Sequence, residues 1–346
     1  ALSLGLMTTV AFAQDWGVDS RTRIDMSDAN GNGNAERTTD QRVTLGATWG
    51  GSDWGIHLST DVNYTFDGDA TLGVYEAYAS TDLMGYATVT AGRQALNYGS
   101  GALLSSRDWG IDRTTWDGMM FGLNLDMADI TVGYHSANDG LADTLGVASE
   151  NTGNMWINAG GEFSGWNVNV LYMTKEGDDT DAATGIDISG EVMGAGITAS
   201  MNTDYDGDDM RVIGLSYAIN DDMGVNVSQT VYGEGDAGSD GFSMAGTNMS
   251  GADWSNGQMS YLSAGDEMLS YGLTYNMAGI SLGATMHNVT SLADATTGVE
   301  AERDVTEISL GYSLNDNAGL SLSIANDTKG DADAVNYMWL TLNVGL

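Results

Sequence analysis

Cysteine and proline are both absent from this chain of 346 residues. Without cysteine there are no disulfides and no thiolate metal sites. Without proline an ordinary soluble enzyme fits poorly, because such chains use it in loops and at helix starts. A chain built almost wholly of paired strands has few places for proline, which donates no ladder hydrogen bond. Basic residues are scarce, eleven against forty-eight acidic ones, for a formal charge of −37. That balance excludes nucleic acid as a partner, since the phosphate backbone needs clustered Lys and Arg. Long apolar runs are missing too. No stretch of about 18 apolar residues follows the N-terminus, which excludes a helical membrane span.

What is present is enough apolar content to fold, 42%, together with 48 glycines and 15 tyrosines. ALSLGLMTTVAFAQ at the start reads as the end of a signal peptide, with Ala11-Phe12-Ala13 as the cleavage site. Residues 1–13 are then the signal remnant, and 14–346 form a single domain.

From Trp16 onward one unit repeats: about ten alternating residues, a turn, ten more, then a polar loop. In ISLGATMH, Ile280, Leu282, Ala284 and Met286 share one face, and Ser281, Gly283, Thr285 and His287 share the other. The segments 129–135, 166–172 and 339–346 repeat the pattern, and period two means half-buried strands. Short turns, as at Met84-Gly85 and Ala278-Gly279, alternate with long acidic loops such as 28–39, 99–117, 138–154 and 234–265. That rhythm marks an all-β, transmembrane antiparallel β-barrel of the outer-membrane type. The count is eighteen strands, or sixteen if one pair is merged. Closure leaves no unpaired edge in lipid, and the polar face lines a lumen. Trp49, Trp54, Tyr86, Trp156, Trp166 and Trp339 lie near strand ends, where aromatic girdles belong. The alternative is a soluble two-sheet sandwich.

EAYASTDLMGYATVTAGRQ, residues 76–94, resembles the strand–turn–strand signature of Gram-negative general porins, which ends in a Gly-Arg pair. MMFGLNLDMADITVGYHS, which follows the next loop, resembles the succeeding hairpin, and GRQALNYGSGALLSSRDWG is similar to barrels of the alginate-export type. Beyond residues 76–136 only the barrel pattern matches. The chain ends in Leu346 where the family has an aromatic residue, and eighteen strands exceed the family's sixteen. The resemblance implies a Gram-negative outer-membrane channel for small hydrophilic solutes, a homotrimer in contact with lipid and lipopolysaccharide, and no cofactor. It also implies that the loop after Arg93 folds inward and narrows the pore.

That loop and its flanks hold Arg93, Arg107, Asp108, Asp112, Arg113 and Asp117. Charges of both signs at a constriction set selectivity, so these six are the expected pore constriction. Strict alternation places Arg93 on the lipid face with Val89 and Ala91 unless Gly92 hosts a bulge, and Gln94 then faces the lumen. Alternation also turns His57 and Asp61 inward. Glu76 shares a face with Tyr78 but also with Leu72 and Val74, so its direction is open. The bland alternative for the arginines is neutralisation of aspartates in a surface loop. Asp204, Asp206 and Asp208 offer oxygen ligands for Ca²⁺ or Mg²⁺ but complete no calcium-loop pattern. His57-Leu58-Ser59 is the one Ser–His spacing similar to an outer-membrane phospholipase, and its face looks toward the lumen, so no enzyme is expected. Rival functions are an adhesive or structural barrel plugged by 234–265, and an export channel for acidic polysaccharide.

The charge of −37 implies cation preference, moderated where the arginines stand. Neutralising Arg107 and Arg113 together is therefore expected to raise cation selectivity, read as a reversal potential in a salt gradient. Neutralising Lys175 is expected to change little.

Overall fold

The computed structural model describes residues 13–28, 37–106, 110–111, 113–125, 127–137, 153–176, 182–235, 241–242, 262–291 and 301–346. The expected signal remnant lies almost wholly outside them. Eighteen strands run in order: β1 Ala13–Asp25, β2 Thr38–Gly50, β3 Trp54–Thr65, β4 Thr71–Leu83, β5 Ala87–Gln94 and β6 Trp116–Leu125. They continue as β7 Ala128–His135, β8 Asn154–Phe163, β9 Trp166–Lys175, β10 Ala183–Val192, β11 Ala195–Thr203 and β12 Asp209–Ala218. The last six are β13 Met223–Tyr232, β14 Glu267–Met277, β15 Ile280–Thr290, β16 Glu302–Asn315, β17 Ala318–Lys329 and β18 Val335–Gly345. Each pairs antiparallel with its sequence neighbours, and β18 returns to β1 in the register Asp19↔Gly345 to Asp25↔Trp339. The sheet is closed.

Hairpins at one end are short for a local reason. Met84-Gly85, Ser164-Gly165, Met193-Gly194 and Ala278-Gly279 all take positive φ at both residues. Two successive left-handed residues give the turn twist that matches paired strands. Glycine at the second position carries the more demanding angle without strain. The other end holds the long connections, including 95–115 between β5 and β6 and 233–266 between β13 and β14.

The faces sort as alternation requires. On β3, Ile56 and Leu58 are 47% and 41% exposed while Ser59 and Asp61 on the other face are 4% and 6%. Leu215, Leu273 and Leu310 likewise stand outside, and Arg21, Arg23 and Arg42 are buried inside. Water outside would favour the reverse arrangement. An apolar exterior around a polar lumen suits hydrocarbon, and the soluble sandwich is overturned.

Parity also corrects the aromatic girdle. Trp54 and Tyr86 are exposed near the short-turn end, and Trp49 packs edge-on against Trp16 at 5.8 Å. Trp156 and Trp339 are buried at 2% and 1%, in register with inward residues, and belong to the lumen. Nearness to a strand end did not decide their side; their place in the alternation did.

Two irregularities matter for the lumen. Between β3 and β4 the register passes from Ser59↔Glu76 to Thr60↔Val74, leaving Tyr75 as a β-bulge. One extra residue reverses the facing of everything beyond it. Leu72 and Val74 therefore stand outside while Glu76 and Tyr78 turn inward, opposite Ser59 and His57. The second is the early end of β5. The pattern predicts a strand over 86–98, but pairing stops at Gln94, and the N–H of Ala95 turns to the Glu76 carboxylate, 3.0 Å away.

A closed ladder has no weak edge, so unfolding in detergent requires heat. Unboiled protein on an SDS gel is expected to migrate as a band distinct from the boiled one. Identical migration in a mild detergent would contradict the closed barrel.

Candidate pore constriction

Past Gln94 the chain leaves the wall as a strap, described at 95–106, 110–111 and 113–115, whose described parts rest on two different surfaces of the lumen. Its first part rests on apolar side chains. Leu103 and Leu104, 2% and 0% exposed, join Leu96, Trp116, Trp156, Leu171, Met173 and Ala183 in one buried cluster. The Trp156 indole N–H donates to the Tyr98 hydroxyl at 3.3 Å, and Trp116 and Trp156 meet edge to face at 6.3 Å. Two glycines make room. A Cβ on Gly133 would lie 2.1 Å from the Trp156 ring, and one on Gly185 2.9 Å from Leu103. This small core inside the barrel supplies the burial that an isolated loop lacks. Burial also raises the Tyr98 phenol above its ordinary pKa.

The second part rests on charge. The Arg113 guanidinium donates to both Asp61 carboxylate oxygens, Nη2 at 2.5 Å and Nε at 3.1 Å, and Nη2 also reaches Thr44 Oγ1 at 3.0 Å. Its central carbon sits 3.2 Å from the centroid of the Tyr75 ring. A planar guanidinium can hold a carboxylate at its edge and an aromatic face on its flat side at once. The bulge is what brings Tyr75 there. Arg21 Nη2 and Arg42 Nη1 donate to the Gly110 carbonyl at 2.8 and 3.1 Å, and Asn63 Nδ2 donates to that of Ile111 at 3.1 Å. The strap is thereby held against β1, β2 and β3.

The expected constriction residues divide. Arg113 lies in the lumen, fastened to Asp61. Arg107, Asp108 and Asp112 lie outside the described residues. Arg93 and Asp117 are corrected: they pair across β5 and β6 on the outer face, Nε–Oδ1 2.8 Å and Nη2–Oδ2 2.7 Å, with side chains 40% and 51% exposed. The ladder passes through Gly92 without a register shift, so strict alternation carries Arg93 outward. Gln94 is buried and turned inward.

His57 accepts or donates with Thr48 at 2.8 Å, stacks on Tyr78 and lies 3.6 Å from Glu76, so its imidazole is committed there rather than to Ser59. Asp204 Oδ1 receives the backbone N–H groups of Asp206 and Asp208, both at 3.0 Å, which closes the turn between β11 and β12. In that turn Tyr205 donates to Asn154 Oδ1 at 2.6 Å, and burial pushes its phenol well above the ordinary range. Among the described residues no three His, Asp or Glu side chains gather as a metal site.

Sequence reasoning missed the arginine wall. Arg21 and Arg23, two apart on β1, share the inward face, Arg42 faces Arg21 across β2, and Arg303 on β16 pairs with Asp327 at 2.7–2.8 Å. The R-x-R spacing at 21–23 was the available signal. Also missed was a buried network across β14, β15 and β16, where Ser270 Oγ meets His287 Nδ1 at 2.7 Å and Glu307 meets Nε2 at 3.4 Å. Ser270 and His287 are 3% and 2% exposed, which shuts them off from solute.

No protein-family model and no curated protein matches this chain. Solved structures do. It resembles Pseudomonas aeruginosa OccK2 (OpdF) in complex with glucuronate, with a TM-score of 0.73, 13% identity, and coverage of 96% of this chain and 98% of that one. Pseudomonas aeruginosa OpdK with vanillate and OccK8 (OprE) each give 0.73 at 11% identity over the same shares. At such identities the likeness shows the fold, the closed eighteen-stranded barrel of the OccK/Opd outer-membrane porins.

The Arg113 and Asp61 side chains are 9% and 8% exposed, and removing either takes from the other its ion-pair partner. Breaking a buried pair on one side costs about 3–5 kcal/mol. Arg113→Leu and Asp61→Leu are each expected to lower the thermal midpoint and multiply subconductance states, and the double variant to cost less than the two singles summed. Strict additivity in thermal unfolding would contradict the clamp.

Proposed function

We propose that the chain is a diffusion channel of the Gram-negative outer membrane that passes small hydrophilic solutes and ions without a cofactor. The observation that carries this reading is the strap: a segment fastened to two walls of a polar lumen, with a cavity of about 850 Å³ open beside it. An adhesive or purely structural barrel needs no such built narrowing. The apolar exterior supports contact with lipid and lipopolysaccharide, and the resemblance to general porins supports a homotrimer.

Two electrostatic scales act on a solute. At the mouth, the charge of −37 draws cations within about 10 Å at ~0.1 M salt. At the strap, Arg21, Arg23 and Arg42 stand buried in one wall behind Gly110, and their fixed positive charge offsets part of that negative field. We read this as cation preference for simple salts, moderated at the strap. The glucuronate and vanillate bound in the two related folds are consistent with carboxylate solutes. Arg107 remains a proposed contributor to this wall.

Planar-bilayer recording tests both scales. In a potassium chloride gradient the reversal potential is expected to take the cation-selective sign. Arg21→Gln with Arg42→Gln is expected to push it further that way, while Arg93→Gln on the outer face leaves it in place. Protein that never opens a stable channel would overturn the reading and favour the structural barrel.

A further inference from the structure

β4 runs on past its last pair with β5, Ala77↔Arg93, and the bulge at Tyr75 lies in that further stretch. Arg93 reaches it from the outer face. Its guanidinium gives one edge to Asp117, Nε–Oδ1 2.8 Å and Nη2–Oδ2 2.7 Å, and sends Nη1 to the Val74 carbonyl at 3.3 Å. One side chain thus ties β4, β5 and β6 together where the strap leaves and returns. Resting on the channel reading, we infer that Arg93 is a positioning residue for the constriction: from outside the wall it holds the bulge at Tyr75, and so keeps the Tyr75 ring under Arg113.

The strand offers a second place for the bulge. In the register described, Thr60 faces Val74 and Asp61 faces Gly73. Moving the extra residue to Gly73 would set Thr60 against Tyr75 and Asp61 against Val74, while Glu76 and Leu72 keep Ser59 and Val62. Only Val74 and Tyr75 would exchange sides, and Arg113 would lose its aromatic face. Glycine hosts a bulge at little cost, so Gly73 competes with Tyr75 for the position. Arg93 decides between them. Successive carbonyls of a strand point to opposite neighbours, so the exchange would turn the Val74 carbonyl from β5 toward β3 and break its bond to Nη1. Reaching Val74 also lays the guanidinium along the outer face beyond Ala77, where a Tyr75 ring turned outward would have to go. Asp117 keeps it there, because a two-pronged hydrogen bond fixes the guanidinium plane.

Cysteine reports the facing of residue 74, because the chain has none of its own. Full-length Val74→Cys, alone and with Arg93→Gln, is recorded in a planar bilayer while the membrane-impermeant sulfonatoethyl methanethiosulfonate is added. A lumen thiol takes up the reagent and lowers the current; a thiol on the outer face leaves it steady. Gly73→Cys is the positive control, since Gly73 shares the lumen face with Asp61 and a Cβ there meets nothing within 4 Å. Val74→Cys alone is expected to keep its current. With Arg93→Gln the current is expected to fall about tenfold faster, the factor that losing one hydrogen bond from a charged donor gives at its low end. Asp117→Asn in place of Arg93→Gln is a milder change expected to act in the same direction, and heat-dependent gel migration verifies the folding of each variant. If Arg93 only stabilises the wall, the thermal midpoint drops while every Val74→Cys channel keeps its current. That result, or equal reaction with and without Arg93, overturns the inference. A chain that never conducts overturns the channel reading itself.

Discussion

A backbone in hydrocarbon has no water to bond, so each N–H and C=O group must find its partner within the protein. The closure of β18 onto β1 meets that requirement, and the rest of the molecule follows from it. Once the ladder is closed, every strand residue faces either lipid or lumen, with no third choice. A shift of one residue reverses both sets. The apolar Ile56 and Leu58 and the polar Ser59 and Asp61 occupy opposite sides because the ladder leaves them nowhere else.

The bulge at Tyr75 shows how one departure from this order is used. It lets β4 keep Leu72 and Val74 against lipid at one end while Glu76 and Tyr78 face the lumen at the other. It also places the Tyr75 ring under Arg113. Glu76 in turn receives the first N–H of the strap as β5 ends. The place where the strap departs and the place where it lands are thus set by adjacent residues of one strand. Between them, Leu103 and Leu104 bury in a core that the barrel builds from its own inward aromatics.

Much of this was legible from local pattern. The number of strands, their approximate limits, the short-turn positions and the inward facing of His57, Asp61 and Gln94 all come from alternation, which needs only neighbouring residues. Arg93 was legible as well, since alternation gives it the outer face that it has. What alternation could not supply was contact between distant segments. Arg113 and Asp61 are fifty-two residues apart in sequence, and nothing local joins them. The bulge at Tyr75 was hidden because Leu72, Val74 and Glu76 share one parity, and only the pairing with β3 shows where that parity breaks. Trp156 and Trp339 were misplaced by weighing nearness to a strand end above their position between outward neighbours such as Met155 and Ile157.

The central claim is that the strap crosses the lumen and reaches the far wall. Its Ser100 hydroxyl lies 3.3 Å from that of Ser200 on β11. The chain has no cysteine of its own, so a pair introduced there reports on that contact alone. Oxidation of the Ser100→Cys, Ser200→Cys double variant in folded, detergent-solubilised protein is predicted to form one intramolecular disulfide, visible as a non-reducing gel shift of the denatured chain that dithiothreitol reverses. Two thiols that stay free under oxidation, both open to a bulky maleimide, would place the strap outside the lumen and contradict the account.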